Sequence, residues 1–337
     1  MSHSAPGDVV FVSGGTGTQG TATIRALLRL ASSTHPISIH ALVRDPDSPK
    51  AQALAQLSPS VKLFKGDNDD RSAIAAAAES CTACFFILLT GWDQTESRAE
   101  RRQADTILSV LSSVTTMRRV VYTTTAGVRD PSIPGNFKNL EKGTHRYAYF
   151  EGKHANEMAV QKTAEENGWA WTIFKPAYFL SNFLKPMAEF MYPQLAEHRI
   201  VTVMPADWKY YLVDPEDIGL FCAVAVIGPG KGRDLPDMSL QKIDLVSQVG
   251  LLTDVTGAMG RALAKHGDQV KINVEYITAE EAQRRGINSS KTEYEQFLAS
   301  NPTPLDLQRV KDLGFESGTL DGFFEREIQR LKLVLAL

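Results

Sequence analysis

The stretch that decides the fold is VVFVSGGTGTQGTATIRALLRL, residues 9 to 30. A β-branched and aromatic run, Val9 to Ser13, leads directly into Gly14, Gly17 and Gly20 in GxxGxxG spacing, and a helical pattern follows from Gln19 to Leu30. Glycines so spaced let the backbone turn sharply, approach an anion closely and seat the helix on the strand. The helix start attracts a pyrophosphate at the same place, because its first N–H groups have no partner inside the helix. An ordinary tight turn uses glycines too, but the strand before them and the helix after them favour a phosphate-binding turn.

Outward from that turn the chain alternates strand-like and helical runs. Strands are expected at Val9 to Ser13, Ile37 to Val43, Val61 to Phe64, Cys84 to Leu89, Arg119 to Thr123 and Ala170 to Phe174. Helices are expected at about Gln19 to Leu30, Ser48 to Gln56, Arg71 to Glu79, Glu96 to Ser112 and Ala155 to Asn167. With right-handed crossovers this series makes an α/β fold, a Rossmann-type, doubly wound parallel sheet. After Lys175-Pro176 the rhythm breaks into an aromatic-rich segment, and a smaller C-terminal α/β substrate lobe is expected over 177–337. The dinucleotide domain is expected over 1–176, rejoined by part of 213–250. There, VDPEDIG reads as a helix start with Asp214 as cap and Pro215 at the first helical position. A strand near Ile243 to Val246, a helix at Thr253 to Lys265 and a strand near Val270 to Tyr276 are assigned to the lobe.

A chain of 337 residues, 43% hydrophobic and 22% charged, has enough apolar material for a full core and a second lobe. Its net charge of -3 offers no field to draw in a polyanion, so nucleic-acid binding by charge is not expected. The start, MSHSAPGDVV, lacks the features of a secretory signal, and the longest apolar run, ACFFILL, is too short to span a bilayer. A cytoplasmic location is expected, with the nucleus as the alternative and no membrane partner. Cys81 and Cys84 form a CxxC, but they lead into a strand rather than a helix N-terminus, and read as buried rather than redox-active. The histidines show no metal-ligand spacing, so no metal is expected.

The end of the second strand separates the nicotinamide cofactors. An acid there binds the ribose hydroxyls of NAD, and an arginine accepts the 2′-phosphate of NADP. HALVRDPDS places Arg44 at that point, and a guanidinium–phosphate contact is charge-assisted, which favours NADP(H), although an Arg at a strand end is also commonly just a solvated charge. Asp45 next to it argues the other way. After the third strand, KGDND sets Asp67 and Asn68 where side chains could reach an adenine, and an ordinary polar loop fits the same residues.

GGTGTQG at 14 to 20, VRDP at 43 to 46, KGDNDD at 65 to 70, TGW at 90 to 92, HANE after YFEGK, and KPAYFLSNF at 175 to 183 resemble the NmrA-like branch of the atypical short-chain dehydrogenases/reductases. The resemblance implies a Rossmann domain preferring NADP(H), with a small lobe over the nicotinamide. It implies that Gly14, Thr16, Gly17, Thr18, Gln19 and Gly20 line the pyrophosphate, Arg44 the 2′-phosphate and Lys153 the nicotinamide ribose. The family holds reductases of small molecules and also sensors that bind the dinucleotide and a partner protein without turnover. Many sensors lack a Tyr four residues before this Lys; this chain has Tyr149.

Carbonyl reduction places a hydride on carbon and a proton on oxygen, and the donor must lie within hydrogen-bond reach of that oxygen. Tyr149 and Lys153, at i and i+4, share a helical face. There an ammonium would pull a phenol toward neutrality and also hold ribose hydroxyls. Thr125 lies 24 positions ahead of Tyr149, like the Ser/Thr of extended short-chain reductases, and Thr124 is next in line, although threonines are β-formers and three at a strand end need no catalytic role. A packed Tyr with a snorkelling Lys is the plain alternative. Trp92, Tyr178 and Phe183 are expected to border a mostly apolar pocket for a small, cyclic or aromatic substrate, although the same composition also suits lobe packing. Two functions stay open: an NADPH-dependent oxidoreductase reducing a carbonyl, imine or activated alkene, and an NADP(H)-sensing regulator of a partner protein.

Overall fold

The computed structural model of the protein describes residues 7–88, 96–230 and 234–337, without the side chains of residues 96 and 97. The elements run β1 (Asp8–Val12), α1 (Thr18–Leu30), β2 (Ile37–Val43), α2 (Pro49–Ala55), β3 (Val61–Lys65), α3 (Arg71–Ala78), β4 (Ala83–Ile87), α4 (Glu96–Leu111), β5 (Arg119–Thr123), α5 (His145–Glu166) and β6 (Ala170–Pro176). They continue with β7 (Tyr178–Phe179), α6 (Met187–Met191), β8 (Arg199–Thr202), β9 (Tyr210–Val213), α7 (Pro215–Ile227), β10 (Gln241–Leu245), β11 (Gln248–Gly250), α8 (Leu252–Lys265) and β12 (Asn273–Tyr276). Next come α9 (Ala279–Arg284), α10 (Ser289–Ser300), α11 (Leu307–Asp312), α12 (Leu320–Arg326) and α13 (Ile328–Val334). No described helix is long and apolar enough to cross a membrane.

The chain divides into two compact units. The first comprises Met1–Asn136, Leu140–Pro176 and Pro215–Asp244. Its seven-stranded sheet has the order β10-β6-β5-β4-β1-β2-β3. Register is parallel from β2 on β1 (Val10↔Ile39) through β4 on β1 (Phe11↔Cys84) to β6 on β5 (Val121↔Thr172). The chain lays β2 and β3 on one side of β1, then returns to lay β4, β5 and β6 on the other. The reversal beside β1 opens a crevice at the strands' carboxyl ends, where ligands of such sheets bind.

Local chemistry sets the ends of the helices. Ser48 caps α2 ahead of Pro49, Asp70 caps α3 and Thr144 caps α5, each side chain accepting a first-turn N–H. One sheet face buries Phe11, Ile74, Phe86, Ile107, Val120 and Tyr122 with neighbours from α3, α4 and α5. Helix α7 lies against α1 in backbone contact: a Cβ on Gly219 would stand 2.3 Å from the carbonyl carbon of Ala22. Cys81 and Cys84 are buried, and burial pushes the Cys81 thiol up to about 12.

Two expectations need correction here. Helix α5 begins at His145 rather than Ala155, so Tyr149 and Lys153 lie well inside it. The strand assigned to the lobe near Ile243 is β10, the seventh strand of the main sheet, beside β6. Leu240 N donates to Trp171 O at 2.7 Å and Thr172 Oγ1 to Met238 O at 2.8 Å, tying the approach to β10 onto β6. The buried Glu157 carboxylate of α5 lies 3.0 Å from Lys242 of β10 and 3.8 Å from Lys175 of β6.

The second unit comprises Phe137–Asn139, Ala177–Asp214 and Leu245–Leu337. It has a small sheet β11-β9-β7, the parallel pair β12-β8, and α8 among the helices around its own core. The aromatic-rich segment supplies that core. Phe183 is fully buried and stacks on Tyr192 at 4.9 Å between ring centroids, and Tyr178 meets Tyr210 edge-on at 5.7 Å. The Tyr178 and Tyr192 hydroxyls are hydrogen-bonded at 2.8 Å. Buried Lys291 and Glu295 of α10 hold the end of β8, Lys291 Nζ donating to Val201 O at 2.9 Å and Val203 N donating to Glu295 at 3.0 Å. Within this unit Phe183 is spent on packing and leaves no face for a ligand.

Candidate active site

The glycine loop forms at the end of β1. Gly14 has φ +64, in the left-handed region that favours glycine, and its carbonyl accepts the Gly17 N–H at 2.9 Å. A Cβ on Gly20 would stand only 2.2 Å from that same carbonyl oxygen, so only glycine lets the first turn of α1 close onto the loop. Gly17 is the N-cap and no side chain caps the helix, which leaves its first N–H groups open to an anion. Thr21 Oγ1 donates to Gly15 O at 2.9 Å and braces the loop, while Gln19 Oε1 is buried with no partner among the described residues. These features fit a bound pyrophosphate: a glycine cradle, an open helix end and a threonine strut.

Arg44, at the end of β2, is exposed. Its neighbour Asp45 is committed locally, its carboxylate accepting the Asp47 N–H at 3.0 Å and its carbonyl accepting Ser48 Oγ at 2.8 Å. The acid that weighed against a 2′-phosphate therefore belongs to the turn into α2. Asn68 also has a structural task. Its Oδ1 accepts from Ser13 Oγ at 2.8 Å and its Nδ2 donates to Ile87 O at 2.8 Å, pinning the ends of β1 and β4. Asp67 is exposed, with one carboxylate oxygen accepting the Asp69 N–H at 2.9 Å. Of this pair, Asp67 is the one with an oxygen facing solvent.

Tyr149, Lys153 and Thr125 come together. The Thr125 side chain, just beyond β5, lies near enough to the Tyr149 phenol to pull its pKa down. Lys153 Nζ lies 5.6 Å from the centroid of the Tyr149 ring. Its ammonium also donates to Glu100 Oε1 at 2.8 Å, and both side chains are buried. Burial raises the Tyr149 phenol well above its ordinary range, the Glu100 charge adds to the rise, and Thr125 opposes it. The phenol is thus not brought toward neutrality in this arrangement: burial raises it, and the Glu100 charge adds to the rise.

Glu100 is the residue that sequence reading missed. The string ESRAERRQ looks like a solvated face, yet Glu100 and Gln103 are buried in phase with Ala104, Ile107, Leu108 and Leu111 on α4. A charge at the first position of an apolar stripe of period 3.6 was the available signal. Trp92 lies outside the described residues. No group of three or more His, Cys, Asp or Glu able to hold a metal ion is found among the described residues.

The model of the NmrA-like family matches residues 6–275. An NmrA-like family domain-containing oxidoreductase of Penicillium ochrochloron is 28% identical over 190 residues, covering 54% of this chain and 50% of that protein. The matched part therefore spans about half the length of that curated relative. Among solved structures, the triphenylmethane reductase of Citrobacter sp. superposes with a TM-score of 0.69 at 16% identity, over 98% of this chain and 100% of that one. NmrA, a negative transcriptional regulator solved with NAD, gives 0.68 at 15% identity over 97% of both chains. The NADPH-dependent quinone oxidoreductase of Escherichia coli, solved with NADPH, gives 0.65 at 17% identity over 95% of this chain and 99% of that one. At such identities the likeness is one of fold.

Proposed function

Because the chain belongs to the NmrA-like family, we propose that it is an NADPH-dependent oxidoreductase that reduces a small carbonyl, imine or activated alkene, cyclic or aromatic in character. The observation that carries this reading is Tyr149 and Lys153 on one face of α5, Lys153 Nζ lying 5.6 Å from the centroid of the Tyr149 ring. When bound, NADPH supplies the hydride to the substrate carbon. Tyr149 passes its hydroxyl proton to the substrate oxygen or nitrogen, and Thr125 orients that hydroxyl. Lys153 grips the ribose hydroxyls and restores the proton balance of the site. Arg44 takes the 2′-phosphate, while the glycine loop with the α1 N-terminus takes the pyrophosphate. Asp67 reaches the adenosine, Trp92 remains a candidate for the substrate side, and Tyr178 and Phe183 pack within the second unit.

A regulator is the second reading. Its support is NmrA itself, of the same fold, together with the Tyr149 phenol, which burial and the Glu100 charge hold above its ordinary range. The experiment that separates the two is a screen for NADPH consumption. It begins with planar conjugated acceptors, because two fold neighbours are named as a triphenylmethane reductase and a quinone oxidoreductase. Saturable consumption with at least one ketone, imine, enone or quinone supports the reductase. Tight NADPH binding without consumption across the panel overturns it in favour of the sensor.

A further inference from the structure

We propose that the protein self-associates through the open edge of β12, two copies pairing antiparallel about Asn273 so that their small sheets become one. The surface lies within the second unit and is independent of the cofactor chemistry assigned above.

Strand β12 pairs with β8 on one side and ends its sheet on the other. Asn273 N donates to His198 O and Ile277 N to Thr202 O, each at 3.0 Å. Backbone groups alternate sides along a strand, so those of Val274 and Tyr276 point away from β8, where no described strand pairs with them. The far edge of β8 is treated differently. There Lys291 and Glu295 of α10 hydrogen-bond the Val201 carbonyl and the Val203 N–H. Beside the β12 edge lies instead a groove of about 550 Å³, between residues 269–274 and the side of α8 that carries Gly257 and Gly260. These glycines put no side chain in the way of an incoming strand, and an unpaired edge is a template for one.

The strand that fits is the segment itself. In VKINVEY, residues 270 to 276, Ile272 is buried and Val270 and Val274 pack on the lobe core, while Lys271 and Asn273 are exposed. A two-fold axis through Asn273 sets Ile272 against Val274, Val270 against Tyr276 and Lys271 against Glu275. Apolar pairs then share one face and opposite charges meet on the other. In this register Ile272 and Val274 form the hydrogen-bonded pair, which uses the outward backbone groups of Val274. Glu275 is held in place by Arg199 at 3.2 Å and Arg285 at 2.6 Å. Lys271 has no salt bridge among the described residues, and Glu275 of the second copy would supply it.

Two short strands make a small interface, so association is weak and is followed by sedimentation velocity from about 1 µM to about 1 mM. The parent protein should shift from monomer to dimer within that range. Asn273 faces its own copy across the axis, so Asn273→Asp and Asn273→Lys each set like charges opposite one another and should weaken the dimer about two- to fivefold. An equimolar mixture of the two variants should associate more than either alone. Asn273→Cys supplies a covalent readout, because Cα atoms of a close antiparallel pair stand about 4.5 Å apart, within disulfide reach. The three native cysteines are buried, so mild oxidation should cross-link Asn273→Cys and leave Lys271→Cys, which lies off the axis, as monomer. A parent that stays monomeric throughout overturns the proposal and leaves the edge to a strand of another protein. A dimer indifferent to both charge variants, a mixture no more associated than its components, or equal cross-linking of the two cysteine variants overturns it as well.

Discussion

Arg44 and Asp45 are adjacent, yet the structure separates their tasks. Asp45 is held in the turn before α2, and Arg44 projects from the end of β2. Replacing Arg44 by Ala should weaken NADPH binding tenfold or more, as expected for the loss of charge-assisted hydrogen bonds of about 1.5–3 kcal/mol each. NADH binding should change little. Fluorescence titration with both cofactors checks this, and equal affinities in the parent protein would remove the 2′-phosphate assignment. At Asn68 the sequence supports two readings, a ligand contact or a loop polar group. Only the bonds to Ser13 and Ile87 reveal that both ends of its amide are occupied.

Among the elements, the glycine loop and α1 are the most constrained. Gly20→Ala would press a methyl into the Gly14 carbonyl, and relief requires α1 to lift from β1. Overpacking of this kind costs about 1–3 kcal/mol, so a lower melting temperature and much weaker NADPH binding are expected together. Normal affinity in that variant would mean the loop does not hold the cofactor. This loop was legible in sequence because its chemistry is local: a strand, a turn only glycine makes, and a helix start follow one another directly. The parallel strands β1 to β6 were legible within a few residues for the same reason, as continuous apolar or β-branched runs. The first turns of α5 were not. HRYAYFEGKH has no clear apolar period and carries Gly152, and its start is set by the cap at Thr144. Nor was the place of β10, since QKIDL is short and mixed and its pairing with β6 depends on contacts remote in sequence. Glu100 was hidden by its charged neighbours, its burial being decided by the packing of α4 on α5.

For the whole molecule, both units bury tyrosines. Burial raises the phenols of Tyr122 and Tyr149 in the first unit and of Tyr178, Tyr192 and Tyr210 in the second. In the unfolded chain these groups ionise near about 10. The stability they contribute is therefore complete below about pH 10 and is lost as pH rises toward the higher folded values. Thermal melts from about pH 8 to 11 should show a midpoint that holds and then drops above about 10, and a midpoint unchanged through that range would contradict the burial of these hydroxyls.

The proposed hydride transfer with proton delivery rests on the open end of α1 and on Tyr149 and Lys153 sharing one face of α5. The most direct test is NADPH turnover by the parent protein and by Tyr149→Phe on the best acceptor found, with NADPH affinity measured on both. A phenol acting as general acid contributes about 10²–10⁴ in rate, so turnover should fall by that factor while affinity stays within about twofold. Unchanged turnover in Tyr149→Phe would contradict Tyr149 as the proton donor.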